Sequence, residues 1–174
     1  GYIGLPALVF VVFSLFGKFD RRQIFFGLSA VICILFVTKN PLSEIPYTLS
    51  LPIISSMQPT RLIGIISFCL VVLAVYGFDK FVYLKKPKSI IYTLLIFTAI
   101  FTTLWFIVLA NPFMQADVNL EVAKRNLILP LVLFIATACI LLSYSYTFSM
   151  KKTSLLRVIL LIGLIFIAIF DLIR

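Results

Sequence analysis

Runs of apolar residues, each about as long as a lipid bilayer is thick, constrain the fold of this chain more than any other feature. A membrane-spanning helix needs about 20 predominantly apolar residues, and roughly 17 to 25 are tolerated. Six runs reach or approach that length. They cover residues 2–17, 23–38, 61–78, 89–110, 125–148 and 155–172. We therefore predict an all-α fold, a polytopic transmembrane bundle of about six helices.

The composition supports a membrane environment. Of the 174 residues, 63% are hydrophobic and only 12% are charged, and the mean hydropathy is +1.20. Soluble domains are nearer half apolar and carry about twice this share of charge. A water-soluble fold of this size would leave apolar side chains over much of its surface, whereas a bilayer accommodates them.

The charged residues predict the orientation of the bundle. Ten basic and two acidic residues fall on one side of the six runs, and five basic and four acidic residues fall on the other. Basic loops stay in the cytoplasm, so we predict cytoplasmic loops at 18–22, 79–88 and 149–154 and outer loops at 39–60 and 111–124. Both ends then face the non-cytoplasmic side. The net charge of +9 is divided among these loops, which argues against nucleic acid as a partner.

The chain begins at Gly1 on an apolar run and stops at Arg174 directly after another, so we expect a single bundle, residues 1–174, cut from a longer protein. The sequence has no histidine, which excludes His-based triads and metal sites within this stretch. The three cysteines lie in separate apolar runs, where we expect small buried side chains. We predict no catalytic residue, metal site or cofactor here.

Within the predicted spans, ionisable residues avoid the centres. Proton-coupled carriers and ion pumps need buried charge, so a transporter is less favoured for this stretch. Pro6 and Pro130 are each predicted near the start of a helix, where a missing N–H costs little. Asp171, near the outer end of the last span, is expected to be solvated at the interface.

The outer segment 40–61 is the first candidate site. Its four prolines prevent one continuous helix, yet it is apolar, as expected of a segment at the membrane interface. Arg61 ends it at the start of the third helix, where a guanidinium and free backbone N–H groups can hold a phosphate. The predicted lipid-phosphate site comprises Arg61, Gln58 and Thr60. Alternatively, Arg61 only reaches toward ordinary lipid headgroups.

A charged cluster in the second outer loop is the other candidate. Asp117 and Glu121 share a face if the segment is helical, and two carboxylates can act as an acid–base pair or bind a cation. Lys124 and Arg125 follow within four residues. Local salt bridges, with Asp117 as an N-cap, explain the same pattern without chemistry.

Short motifs resemble a known family of bacterial membrane proteins. They are LPIISSMQPTR at 51–61, LAVYGFD at 73–79, YIG at 2–4 and FDL at 170–172. Together they make most of the chain resemble the YfhO-type proteins of the broad GT-C glycosyltransferase class. In that class the catalytic acidic residue lies in the first outer loop, which has no counterpart here. Arg61 matches the proline-arginine motif, but Met57 and Gln58 stand where a second basic residue is common.

The resemblance implies the membrane part of an enzyme in the bacterial cytoplasmic membrane. Such an enzyme takes a sugar from a polyprenyl-phosphate donor and modifies a cell-envelope component on the outer face. The expected partners are therefore membrane lipids and this donor. Two other functions stay open: a transporter or flippase for an envelope lipid, and a non-enzymatic membrane scaffold.

Overall fold

The computed structural model describes residues 3–17, 19–38, 43, 61–83, 88–110, 117–149 and 154–173. Within these ranges the chain is helical and contains no strand, which confirms the all-α prediction. The helices are α1 Leu5–Ser14, α2 Arg21–Val37, α3 Leu62–Tyr83, α4 Lys88–Ala110, α5 Asp117–Ser149 and α6 Ser154–Ile173.

Four of these helices, α3 to α6, are long and apolar enough to cross a membrane. In the apolar window of each, at most 28% of the residues are buried inside the protein, so most of their apolar side chains are exposed. The first two helices are shorter. With 10 residues α1 extends about 15 Å, and with 17 residues α2 extends about 26 Å.

Three helices extend into segments predicted as loops. Helix α2 already begins at Arg21, behind an N-cap at Asp20 whose backbone N–H donates to Gln23 Oε1 at 3.1 Å. Helix α3 continues through Tyr83. Helix α5 begins at Asp117, so the end of the predicted outer loop 111–124 is helical. These charged stretches lack glycine and proline, so nothing in them ends the helix at the border of the apolar run.

The placement of Pro130 at the start of a helix is wrong, because α5 begins well before it and Pro130 lies inside the helix. Proline has no N–H to donate to the carbonyl four residues earlier, which belongs to Asn126. A local weakness in the backbone therefore separates the charged first turns of α5 from its apolar remainder.

The chain forms two compact units, and one comprises Gly1–Ile3 and Phe10–Val82. Its core is aromatic: the Phe10 ring lies 5.4 Å from Phe78 and 5.7 Å from Phe81, centroid to centroid. Helix α3 comes so close to α1 here that a β-carbon on Gly77 would overlap the carbonyl oxygen of Phe10. Glycine at 77 therefore permits this helix contact.

The other unit comprises Gly4–Val9 and Tyr83–Arg174. Helix α4 packs against α5, and α5 packs against α6. Phe134 of α5 stacks on Phe97 at 5.9 Å and on Phe101 at 5.2 Å. Thr137 is fully buried, and its hydroxyl donates to the Leu133 carbonyl at 2.8 Å, so it enters the core without an unpaired polar group.

Candidate functional site

A groove of about 570 Å³ lies between α4 and α5. Its walls are almost entirely apolar and aromatic, as in sites for small apolar ligands. The lining residues are Thr98, Phe101, Thr102, Trp105, Phe106, Leu109, Leu131, Phe134 and Ile135. Those on α4 recur every three or four residues, so they form one face of that helix.

Stacked aromatic rings form the base of the groove, and its walls expose little polar surface. Phe101 and Phe134 are both buried and stack on each other. The Thr98 hydroxyl donates to the carbonyl of Leu94 at 2.8 Å and is therefore satisfied within its own helix. The Trp105 indole N–H is enclosed and has no hydrogen-bond partner among the described residues. The groove accordingly suits a hydrocarbon chain better than a polar molecule.

Lys124 lies on the continuation of the groove's face along α5. It precedes the lining residue Leu131 by seven residues, or about 10.5 Å along the helix axis. Seven residues are nearly two full turns, so the two side chains leave the helix within about 20° of each other. Lys124 is exposed. By helical spacing, Lys124 and the groove-lining residue Leu131 therefore belong to one face of α5.

Two other residues of the predicted charged cluster lie to one side of Lys124. Glu121 and Arg125 are both exposed and leave the helix about 60° and about 100° from Lys124, in the same direction. The local salt bridges expected in this cluster stay a prediction. The side chain of Asp117 lies outside the described residues, although its backbone begins α5.

Arg61 adopts a 3₁₀ conformation directly before α3, and its side chain is exposed. Gln58 and Thr60 lie outside the described residues, as does most of the predicted outer loop 39–60. The lipid-phosphate site at Arg61, Gln58 and Thr60 therefore stays a prediction.

The expectation of a solvated Asp171 is wrong, since this carboxylate is only 5% exposed. Its Oδ2 accepts a hydrogen bond of 2.6 Å from the backbone N–H of Leu5, the first residue of α1. Gly4, just before, has φ +80°, and a β-carbon there would lie 3.3 Å from the same oxygen. A carboxylate at a helix N-terminus satisfies an unpaired N–H and complements the helix dipole. Asp171 is explained by this capping role.

Lys80 was predicted as a loop residue, but it lies in α3 and binds the other end of α1. Its Nζ donates to the Ser14 carbonyl at 2.9 Å and lies 5.6 Å from the centre of the Phe19 ring. A cation at a helix C-terminus complements the partial negative charge there. The two interacting residues are 66 positions apart, so no local motif pointed to this contact.

No group of three or more Asp, Glu, Cys or His side chains that could hold a metal ion occurs among the described residues. No protein-family model, curated protein or solved structure matches the chain. In the part of the chain that the structure describes, the fold and the site together define an α-helical protein with four helices able to cross a membrane and an apolar groove between two of them.

Proposed function

We propose that this chain is the lipid-binding membrane part of a glycosyltransferase-like protein that uses a polyprenyl-phosphate-linked sugar. The groove between α4 and α5 holds part of the hydrocarbon tail, and Lys124 contacts the phosphate. The observation that carries the proposal is the alignment of Lys124 with the apolar groove along one face of α5. An ammonium group forms a strong, charge-assisted hydrogen bond with a phosphate oxygen.

The proposal includes six spans, with α1 and α2 completing the bundle and both chain ends on the outer side. In that topology α4 runs outward from the basic segment that includes Lys88. The groove is lined by residues between 98 and 109, in the second half of α4, and by residues between 131 and 135 of α5. It therefore opens toward the outer leaflet of the bacterial cytoplasmic membrane, where a lipid-linked sugar would modify an envelope component.

Selectivity in such a site comes from fit and charge. A lipid tail moves from bilayer hydrocarbon into an apolar groove, so the transfer of apolar surface out of water contributes little. The stacked Phe101 and Phe134 keep the groove's shape, and its volume lies within the usual range of about 300–1,000 Å³ for small-molecule sites. The phosphate contact then distinguishes an anionic lipid from a neutral one.

The test is native mass spectrometry of the purified protein with polyprenyl-phosphate-linked hexose. Ile135→Trp fills the groove and is expected to reduce lipid retention at least tenfold. Val132→Trp is the matched control, because Val132 is on the same helix, is 55% exposed against 52% for Ile135, and does not line the groove. Equal retention by the two variants would contradict the proposal.

The phosphate contact is tested in the same assay by Lys124→Gln, with Arg125→Gln as its neighbour control. Loss of one charge-assisted hydrogen bond of about 1.5 kcal/mol lowers retention roughly tenfold. Arg125→Gln is expected to change it less than twofold. Arg61→Ala tests the separate prediction of a phosphate site before α3. Indifference to all three substitutions would favour the scaffold alternative.

A further inference from the structure

We infer that the groove between α4 and α5 also binds a bilayer glycerolipid, and that the Trp105 indole N–H recognises an ester carbonyl of that lipid. This inference goes beyond the proposed function, because it concerns the membrane lipid that a polyprenyl tail displaces from the groove. A polyprenyl tail is a hydrocarbon without a hydrogen-bond acceptor, whereas each acyl chain of a glycerolipid begins at a carbonyl.

An unsatisfied donor in an otherwise apolar site supports this inference. Trp105 lines the groove, and its Nε1 is enclosed without a hydrogen-bond partner among the described residues. A buried donor without a partner is costly, and native structures usually supply one from the protein, from water or from a ligand. The Thr98 hydroxyl needs no ligand, since it donates to the Leu94 carbonyl of its own helix at 2.8 Å.

The lining of the groove favours a neutral acceptor. None of its lining residues is charged, and a charged group brought into such a site without a counter-ion is strongly disfavoured. A carbonyl oxygen accepts a hydrogen bond without carrying a net charge. An ester carbonyl at the start of a hydrocarbon chain therefore matches both the apolar walls and the indole N–H.

The position of Trp105 along α4 leaves room for the chain that follows the carbonyl. Trp105 lies five residues before Ala110, the last residue of α4, or about 7.5 Å along the axis. From Trp105 the groove continues to Thr98, about 10.5 Å further into the helix. An acyl chain can lie along this stretch against Phe101 and Phe134. Because Nε1 is enclosed, the indole must turn toward the groove when the carbonyl binds.

The experiment uses two lipids that differ only in the carbonyl. Dioleoyl phosphatidylcholine is compared with its diether analogue, which has the same headgroup and chains of the same length, by native mass spectrometry of the purified protein. We expect the ester lipid to be retained about three- to tenfold better, as for one hydrogen bond away from water. The sequence contains one tryptophan, so a shift of its fluorescence to longer wavelength with the ester lipid, and not with the ether lipid, reports the same contact.

The donor is tested by Trp105→Phe, which keeps an aromatic wall and removes the N–H. The preference for the ester lipid should then disappear. Phe106→Leu is the control, because it changes the neighbouring wall of the groove without removing a donor and should preserve the preference. Equal retention of the two lipids by the native protein, or a preference that persists in Trp105→Phe, would overturn the inference.

Ile135→Trp separates this inference from the proposed function. It fills the groove and is expected to displace both phosphatidylcholines. If it displaces neither of them, the inference fails. If it displaces the polyprenyl lipid but the native protein shows no ester preference, only the role of Trp105 fails. If it displaces the ester lipid but not the polyprenyl lipid, the proposed function fails and this inference stands.

Discussion

The two ends of helix α1 are bound by side chains of opposite charge. The two contacts differ in how well they tolerate a change of side chain. At the N-terminus, the short side chain of Asp171 is buried and lies 2.6 Å from the Leu5 nitrogen. At the C-terminus, the long side chain of Lys80 reaches the Ser14 carbonyl from a partly exposed position. Backbone groups at helix ends need partners, most of all away from water. A rigid partner imposes one geometry, whereas a flexible partner tolerates several.

The largest expected effect comes from breaking the rigid end. Asp171→Ala removes the acceptor for the Leu5 N–H in a buried position, so we expect a loss of about 3 kcal/mol in the free energy of unfolding. Asp171→Asn keeps an acceptor and should lose about 1 kcal/mol. Thermal unfolding in detergent micelles measures both variants. Asp79→Ala, at an exposed carboxylate of α3, is the control. Equal melting temperatures for Asp171→Ala and this control would contradict the capping role.

An intermediate effect is expected where α1 and α3 come closest. Gly77→Ala places a methyl group against the Phe10 carbonyl oxygen, and separating the helices should cost about 2 kcal/mol. Gly64→Ala, on the same helix, has no neighbouring atom within 4 Å and should be neutral or slightly stabilising. The difference between the melting temperatures of the two variants measures how much the close approach of α1 and α3 contributes to stability. A difference of zero would contradict the predicted clash at Gly77.

The smallest effect is expected at the flexible end. Lys80→Met keeps the apolar stem and removes one hydrogen bond and one charge, so we expect a loss of about 1 kcal/mol. Lys80→Arg should retain most of the stability, because a long cationic side chain can still reach Ser14. A loss in Lys80→Met as large as that in Asp171→Ala would remove the contrast between the two ends.

The helices were predictable from sequence because each apolar run is long and is bounded by charge. Their ends were less predictable, since a hydropathy pattern stops at Asp117, Glu121 or Asp79 whether or not the backbone continues as a helix. The contacts of α1 could not be predicted, because Asp171 and Leu5 are 166 residues apart.

The groove could not be predicted from the sequence either. Its lining residues on α4 follow helical spacing, but the other faces of that helix are equally apolar, so no contrast marks the face that meets α5. Lys124 and Glu121 were identified as candidates. The shared helical face of Lys124 and Leu131 became evident only once α5 was seen to begin at Asp117.

The length of α5 connects the proposed lipid site to the thickness of the bilayer. Its 33 residues extend about 50 Å, well beyond a hydrocarbon core of about 30 Å. A helix of this length that crosses a membrane tilts or projects, and the choice depends on the hydrophobic thickness of the surrounding membrane. In the proposed arrangement, a thinner bilayer raises Lys124 above the headgroups and a thicker one lowers it among them. The proposed site thus predicts that membrane thickness changes which headgroups Lys124 can reach.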